Sequence, residues 1–408
     1  MECVSILENN NWKKNIILFI SGQTISLFGS SLVQYAIMWY ITLETQSGIM
    51  MTLFIISGFL PTLFLSPLAG VWADRYNRKR IIILADSFIA IATLILAILF
   101  FMGYDSLWLL FVMSAIRAIG SGIHSPAVSA VIPQLVPKDK LTKVNATNSS
   151  VQSAVNILAP MASAGLISIV SIESIFLVDV VTAAIAILLL VFFIKIPTHS
   201  KALEVKITSN TNDLKEGFSY IKKHTYVKLY FIFCMFFFFL ITPLAFLTPL
   251  QVARSYGDDV WRLSGLEIAF SGGMMLGGVV MASWGGFKNK IHTMTLSSLV
   301  TGLATIALGL RPNFWIYLGL MGLMGITMPL FNTPSTVLLQ EKVDPDYLGR
   351  VFGVLGMIHS IMMPLGMLLF GPLADIIQIE WILIVTGVLL FILSFFLINS
   401  KPMLEAGE

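Results

Sequence analysis

Three charged side chains stand inside long apolar segments of the sequence, where a charge needs a partner or water. Arg117 lies near the middle of one such segment, and a fixed charge there costs about 2.5 kcal/mol or more unless it is paired or hydrated. Asp179 and Glu267 lie within two other segments. A carboxyl group in such surroundings can alternate between its neutral and its charged form as its access to water changes. We therefore interpret Arg117, Asp179 and Glu267 as candidates for proton coupling.

Plainer interpretations of these charges stay open. The arginine could belong to a structural ion pair that has no part in coupling. Both carboxylates lie within about 10 Å of a predicted helix end, where an acid can be solvated. A further acid, Asp86, lies close to a basic loop, and we predict that it pairs with Arg78 or Arg80.

Polar side chains recur on one face of the first, fourth and fifth apolar segments. In the first and the fifth they fall within arcs of about 80° at 100° per residue. Lipid disfavours such faces, so the combined pattern predicts a water-filled central cavity, to which methionines of the eleventh segment would add an adaptable apolar wall. Hydrogen bonding between helices, worth about 0.6 kcal/mol per contact, is the alternative for any single residue. The candidate cavity residues are Gln23, Ser26, Ser30, Gln34, Ser121, His124, Asn148, Gln152, Asn156 and Met363.

The sequence predicts neither catalytic residues nor bound cofactors. It contains no Ser-His-Asp arrangement on a nucleophile elbow, no phosphate-binding Gly-Lys-Ser/Thr loop and no His-Glu-x-x-His motif. The two cysteines, Cys3 and Cys234, supply neither a disulfide framework nor the spacing of a metal site. These observations argue against an enzyme, a metalloprotein and an ATP-driven pump, and nothing indicates a nucleic-acid partner.

The apolar segments have the length of membrane-spanning helices. Of the 408 residues, 57% are hydrophobic and only 12% are charged, about half the charged share of an average soluble domain. Runs of roughly 20 apolar residues match the helix length that crosses about 30 Å of hydrocarbon, and they lack the alternating polarity of barrel strands. We predict an all-α integral membrane protein. Its twelve predicted spans are 16–41, 49–73, 81–102, 107–132, 144–169, 173–194, 226–253, 264–285, 291–310, 314–338, 350–374 and 380–399.

Lysine and arginine collect in alternate loops, which predicts the orientation of the chain. One set of loops and both terminal segments hold most of the basic residues, whereas the opposite loops hold only Arg254, Arg262 and Arg311. The positive-inside rule then places both termini in the cytoplasm. The first apolar run has no small-residue cleavage site behind a short core, so we predict that it is a membrane helix and not a removed signal.

The twelve spans divide into two halves that repeat each other weakly. We predict an N-terminal six-helix bundle at 1–194, a cytoplasmic linker at 195–225 and a C-terminal six-helix bundle at 226–408. Gly70 corresponds to Gly278 and Pro126 to Pro334 at a common offset of 208 residues. Two parallel repeats of this kind are a transporter architecture.

The loop between the second and third spans is a dense charge cluster, Gly70-Val-Trp-Ala-Asp74-Arg75-Tyr-Asn77-Arg78-Lys79-Arg80. It resembles the signature loop of major facilitator superfamily transporters, with Asn77 in place of a glycine; Asn also tolerates the left-handed backbone of a tight turn. In that superfamily the motif's Asp docks on the positively charged N-terminus of span eleven, which implies that Asp74 latches the outward-facing state. The second half has Ala282 at the matching position, so the resemblance implies a latch on one side only. The implied gate residues are Gly70, Asp74, Arg75, Arg78, Lys79 and Arg80.

Two other stretches resemble superfamily motifs. The span-four arginine, Arg117, is similar to a superfamily arginine that acts in proton transfer, although the glycine that usually follows it is displaced here. The stretch 156–165 resembles the antiporter motif of exporters, in which only Pro160 and Gly165 match. That match implies close helix packing at these two residues.

Taken whole, the chain resembles the macrolide-efflux group of this superfamily. The resemblance covers nearly the full length, and its motifs include Gly58-Phe-Leu-Pro61, Arg117-Ala-Ile-Gly120, His124-Ser-Pro126 and Tyr347-Leu-Gly-Arg350-Val-Phe352. Members of the group export hydrophobic antibiotics from bacterial cells with the proton gradient. The resemblance implies a monomeric proton antiporter of the plasma membrane that works by alternating access, with a hydrophobic or cationic substrate, protons and lipids as its partners. An exporter or importer of an endogenous metabolite and a non-transporting membrane sensor are the alternatives.

Overall fold

The computed structural model describes residues 12–137, 140–194, 196, 219–257, 259–344 and 347–407. Within these ranges every long element is an α-helix, and no strand forms. Twelve helical segments of the described chain are long and apolar enough to cross a membrane. The prediction of an all-α protein with twelve spans is confirmed.

Each of the first six spans is a single helix. Apolar runs form helices in such proteins because a helix satisfies every backbone N–H and C=O within its own segment. The six helices are α1 (Trp12–Thr45), α2 (Gly48–Arg75), α3 (Arg78–Phe101), α4 (Leu107–Leu135), α5 (Leu141–Ile167) and α6 (Ile172–Phe193).

The seventh span is interrupted. Its two parts, α7 (Thr225–Leu240) and α8 (Thr242–Tyr256), meet at Ile241, and Pro243 opens the second part because proline has no backbone N–H to continue the first. The remaining helices are α9 (Val260–Trp284), α10 (Lys290–Gly309), α11 (Phe314–Lys342), α12 (Leu348–Ile376), α13 (Ile379–Asn399) and the short α14 (Lys401–Gly407).

Equivalent helices of the two halves begin at a nearly constant offset. Helices α4 and α11 begin at Leu107 and Phe314, and α6 and α13 begin at Ile172 and Ile379. These starts agree with the 208-residue repeat that the sequence predicts.

The chain forms two compact units, one made of Met1–Ile41 with Leu53–Ile207 and the other of Thr42–Thr52 with Thr208–Glu408. The second unit therefore includes the tip of the α1–α2 hairpin, which the sequence assigned to the first half. The reason is a pair of hydrogen bonds: the carboxylate of Asp375 on α12 accepts from the backbone N–H groups of Gly48 and Ile49. Most of the predicted linker, residues 197–218, lies outside the described residues.

Asn77 does not adopt the left-handed conformation that we considered for it. Its φ is −65° and its ψ is 109°, and its side chain accepts a hydrogen bond from the backbone N–H of Arg80 at 3.2 Å. Asn77 is therefore the N-cap of α3, a position that Asn favours because its side-chain oxygen satisfies a free N–H of the first turn.

In the first unit, apolar side chains fill the helix bundle at the end where α3 begins. Buried residues of α1, α3, α4 and α6 form one cluster there, including Phe19, Ile82, Val131 and Leu190. Toward the opposite end of the same helices the rings of Phe100 and Phe176 pack edge to face, with centroids 5.5 Å apart. The buried Asp86, Thr93 and Asp179 lie along these helices between the apolar cluster and this pair of rings.

Candidate functional site

Arg117 of α4 and Asp179 of α6 form a buried ion pair in the first unit. The guanidinium Nη1 donates to Asp179 Oδ2, and the two side chains are 6% and 0% exposed. Arg117 Nη1 also donates to Thr93 Oγ1 at 2.5 Å, and its Nη2 donates to the backbone carbonyl of Ser30 at 3.1 Å. The partner that a charge at this depth requires is thus another candidate residue from the sequence.

Both oxygens of the Asp179 carboxylate have partners. The Ser30 hydroxyl donates to Oδ1 at 2.8 Å, and Thr93 Oγ1 lies 3.1 Å from Oδ2. Taken together, Ser30, Thr93, Arg117 and Asp179 form the outer polar layer. Hydrogen bonds of this kind offset part of the large cost of removing two charges from water.

Close approaches between helices make these contacts possible. A Cβ atom on Gly29 of α1 would overlap Thr182 Oγ1 and lie 3.2 Å from the Cα of Asp179 on α6. A Cβ atom on Gly120 of α4 would overlap Ile89 of α3. Glycine at these two positions therefore lets α1 reach α6 and lets α4 reach α3.

A second buried carboxylate lies closer to the N-terminus of α3. Asp86 is 4% exposed, its Oδ1 lies 3.3 Å from His124 Nε2 of α4, and the Ser26 hydroxyl of α1 donates to it at 3.3 Å. We call Ser26, Asp86 and His124 the inner polar layer. Our prediction that Asp86 pairs with Arg78 or Arg80 is wrong.

The basic loop makes other contacts for a geometric reason. Arg80 precedes Asp86 by six residues, which places it about 120° away around the helix. Arg78 Nη1 donates instead to the carbonyl of Ala130 on α4 at 2.7 Å, and Lys79 Nζ donates to the carbonyl of Ile194 at 2.8 Å. Lys79 thereby binds the C-terminal end of α6, where a positive charge is stabilising. The other gate candidates, Gly70, Asp74 and Arg75, lie near the end of α2, and their side chains are outside the described part of the structure.

Only part of the predicted cavity residues join these layers. Gln23 of α1 is buried, and neither atom of its amide has a hydrogen-bond partner in the described structure. By contrast, Ser121 of α4 and Gln152 and Asn156 of α5 are exposed and do not join the buried layers. The remaining candidates, Gln34, Asn148 and Met363, are partly buried.

Glu267 is not brought near the other proton-coupling candidates. It lies on α9 of the second unit, and no hydrogen bond or ion pair from the described residues reaches its carboxylate. Its side chain is half-buried.

Of the two antiporter-motif residues, only Pro160 is buried. Gly165 is exposed, and a Cβ atom there would meet no described atom within 4 Å. The implied close packing at Gly165 is therefore wrong.

Sequence reasoning missed Thr93, Asp375 and Arg254. Thr93 follows Asp86 by seven residues, two helical turns, so the same face of α3 carries a residue of each polar layer. This spacing in the sequence could have identified Thr93. Asp375 and Arg254, which pair at 2.7 Å in the second unit, gave no local signal because their contacts join distant helices. The described residues contain no His, Cys, Asp and Glu cluster that could hold a metal ion.

Comparisons with known proteins point to one family. A sequence profile of the Major Facilitator Superfamily matches residues 19–367 and 261–406. The chain is 32% identical over 387 residues to macrolide efflux protein A of Streptococcus pyogenes, covering 94% of this chain and 95% of the relative. It is 32% identical over 312 residues to macrolide efflux protein A of Enterococcus faecalis, covering 76% and 96%. A crystal structure of a POT family transporter in complex with a thioalcohol-conjugated peptide superposes with a TM-score of 0.72 at 12% identity, covering 100% of both chains.

Proposed function

Because this chain belongs to the major facilitator superfamily of membrane transporters, we propose that it exports hydrophobic, macrolide-like drugs from a bacterial cell by proton antiport. Transport proceeds by alternating access, in which the substrate site opens to one side of the membrane at a time. Both termini face the cytoplasm of the plasma membrane, in keeping with the distribution of lysine and arginine.

The choice of substrate class rests on sequence similarity. At 32% identity over 94% of the chain, the resemblance to macrolide efflux protein A extends over the whole transport scaffold. Related transporters share this scaffold and differ in the side chains that contact the substrate. A test of the substrate must therefore include many different compounds.

The observation that carries the coupling proposal is the buried ion pair of Arg117 and Asp179. Protonation of Asp179 would leave Arg117 as a buried cation without a counter-charge, and such an isolated charge costs several kcal/mol. The protonated protein would then favour another arrangement of these helices. Proton binding at Asp179 and the change of access are coupled in this way.

Two helices respond directly when the pair separates. Ser30 of α1 donates to Asp179 and accepts from Arg117 through its carbonyl, so it contacts both partners. Thr93 of α3 likewise lies against both charged groups. A change in the protonation of Asp179 therefore alters hydrogen bonds of α1 and α3 as well as of α4 and α6.

Expression in a drug-sensitive bacterial host that lacks its own pumps tests the function. Inhibitory concentrations are measured over a panel of macrolides and cationic dyes for the wild type, Asp179→Asn and Glu267→Gln. We expect resistance to at least one compound with the wild type and its loss with Asp179→Asn. Resistance to no compound would contradict drug export and favour transport of a metabolite.

Inverted membrane vesicles test the coupling separately. Drug uptake into such vesicles is expected to stop when a protonophore collapses the proton gradient. Uptake that persists without the gradient would overturn proton antiport while leaving drug export intact.

A further inference from the structure

We infer that Asp86 and His124 form a second proton-binding pair, and that His124 is where this pair exchanges protons with water. The inference rests on the proposed proton antiport and deepens it. It assigns the proton-exchange step to residues separate from the Arg117 and Asp179 pair.

The geometry places a carboxylate and an imidazole in direct contact inside the membrane helices. Asp86 Oδ1 lies 3.3 Å from His124 Nε2, and the Ser26 hydroxyl donates to the same oxygen. The pair joins α3 to α4, whose close packing at Gly120 brings His124 against α3. The partners of Asp86 are a histidine and a hydroxyl, and it forms no salt bridge with a described arginine or lysine.

The inner layer lies about 10 Å from the outer layer along each of two helices. Asp86 precedes Thr93 by seven residues on α3, and His124 follows Arg117 by seven residues on α4, at 1.5 Å per residue. Since α3 and α4 run in opposite directions, both steps lead toward the end of the bundle where α3 begins. Under the proposed orientation this end faces the cytoplasm.

Exposure distinguishes His124 from the other ionisable groups of the two layers. Its side chain is 19% exposed, whereas those of Asp86, Arg117 and Asp179 are 5%, 6% and 0% exposed. Beyond Asp86, toward the end where α3 begins, the apolar cluster that contains Phe19, Ile82 and Val131 fills the bundle. His124 is therefore the member of the pair to which we assign proton exchange.

The electrostatic surroundings of the pair are simple. On α1 the hydroxyl of Ser26 contacts the pair, and Gln23 lies about one helical turn from Ser26. Both side chains are neutral. From α4 and α6 the nearest charged groups are Arg117 and Asp179, one layer away and paired with each other. On α2, the uncharged Gly58 approaches α4 at Ser114, and the uncharged Thr62 and Leu65 approach it at Gly122. On α3 itself the nearest other charged residue is Arg80, six residues before Asp86, and it forms no salt bridge with Asp86.

The exchange step balances as one proton. In the first state Asp86 is a carboxylate and His124 is neutral with its proton on Nε2. His124 Nε2 has no aligned hydrogen-bond partner in the described structure, so the ring first turns its Nε2–H toward Asp86 Oδ1. Hydronium then protonates Nδ1, and the Nε2 proton passes to Asp86, leaving a neutral carboxyl group and an imidazole protonated on Nδ1. Release to water follows the same steps in reverse, so the pair gains or loses one proton and no other bond changes.

A histidine titration by NMR, on the full-length protein in lipid nanodiscs, tests the pair directly. We expect Asp86→Asn to change the His124 titration midpoint, because the two groups are 3.3 Å apart. His124→Gln identifies the His124 signal. The signal of His292, exposed on α10 in the second unit, is expected to stay where it is. A His124 midpoint unchanged by Asp86→Asn would overturn the inference.

A transport experiment tests the role of the pair in coupling. Uptake of a radiolabelled macrolide into inverted vesicles is measured with a proton gradient and, separately, as exchange of labelled for unlabelled drug without a gradient. We expect His124→Gln and Asp86→Asn each to lower the ratio of gradient-driven to exchange transport by about tenfold, and His292→Gln to leave that ratio at the wild-type value.

The two experiments separate the possible failures. An unchanged ratio in both inner-layer variants would overturn the inference even where the wild type exports the drug. A wild type that transports no compound refutes the proposed function, and the NMR titration then still decides whether the pair binds and exchanges protons as a unit.

Discussion

The guanidinium of Arg117 and the carboxylate of Asp179 meet on neighbouring helices of the first unit, and both are almost completely removed from solvent. Each residue is a charge within an otherwise apolar membrane-spanning helix. Breaking one side of such a pair costs about 3 to 5 kcal/mol, whereas replacing both partners by apolar groups of similar size is often neutral. Single and double variants therefore distinguish a structural role of the pair from a role in transport.

Replacing one or both partners of this pair should have different effects on stability. Asp179→Asn alone is expected to lower the unfolding free energy by about 3 kcal/mol or more, because Arg117 remains as a buried cation. The double variant Arg117→Met with Asp179→Leu is expected to recover most of that loss. Thermal unfolding of the purified protein measures both effects.

The same double variant decides whether the pair acts in coupling. We expect it to remain inactive in drug efflux although it folds, because no group is left at this site to bind a proton. Efflux by the double variant at the wild-type rate would mean that the pair serves only the structure.

Gly29→Ala should disturb the outer polar layer. The added methyl group would overlap Thr182 Oγ1, and overpacking of this kind costs about 1 to 3 kcal/mol. It would also move α1 away from α6 and weaken the Ser30 hydrogen bond to Asp179. We expect lower thermal stability and slower efflux.

Gly165→Ala is the matched control for this variant. Its methyl group would meet no described atom within 4 Å, and alanine is favoured over glycine inside a helix by about 1 kcal/mol. We expect unchanged or higher stability. Equal losses in Gly29→Ala and Gly165→Ala would argue against a specific contact at Gly29.

Asp375→Ala should destabilise the second unit by removing the cap of α2. The carboxylate accepts from the backbone N–H of Gly48 at 2.7 Å and of Ile49 at 2.9 Å, and it pairs with Arg254. Loss of a cap costs about 0.5 to 2 kcal/mol, and loss of a charged hydrogen bond adds to it. Thermal unfolding should show a clear decrease in stability, smaller for Asp375→Asn because the amide oxygen still accepts.

An exposed pair in the same unit provides the comparison. Asp259 and Arg262 form a salt bridge at 3.2 Å in which the aspartate is 54% exposed, and such pairs contribute about 0 to 1 kcal/mol. Asp259→Ala is therefore expected to change stability by less than Asp375→Ala. The opposite order would contradict the capping role of Asp375.

Asp74→Asn tests the gate that the charged loop implies. We expect this variant to insert into the membrane at the wild-type level and to lose drug efflux, since the basic residues that set topology remain. Insertion is measured by the amount of protein in membranes, and efflux by drug accumulation in cells. Full efflux by Asp74→Asn would leave the loop as a topology signal alone.

Local patterns in the sequence were enough to predict the helices and the candidate polar faces. The number of spans follows from the length and the polarity of the apolar runs, because lipid offers the backbone no hydrogen-bond partners. The face of α1 that carries Ser26 and Ser30 follows from helical periodicity, and both residues do contact carboxylates. The loop motif and the longer resemblances likewise needed no coordinates.

Contacts between distant segments could not be predicted in this way. Nothing local indicates that Arg117 meets Asp179, or that Asp86 meets His124 when Arg78 and Arg80 lie closer along the chain.

The sequence by itself determined which segments form helices and which faces are polar, because both depend on neighbours within a few turns. Only the tertiary structure decided how these faces pair, since helix packing at glycines such as Gly29 and Gly120 sets which side chains come within hydrogen-bond distance. Packing therefore gives two buried carboxylates different partners, an arginine for Asp179 and a histidine for Asp86.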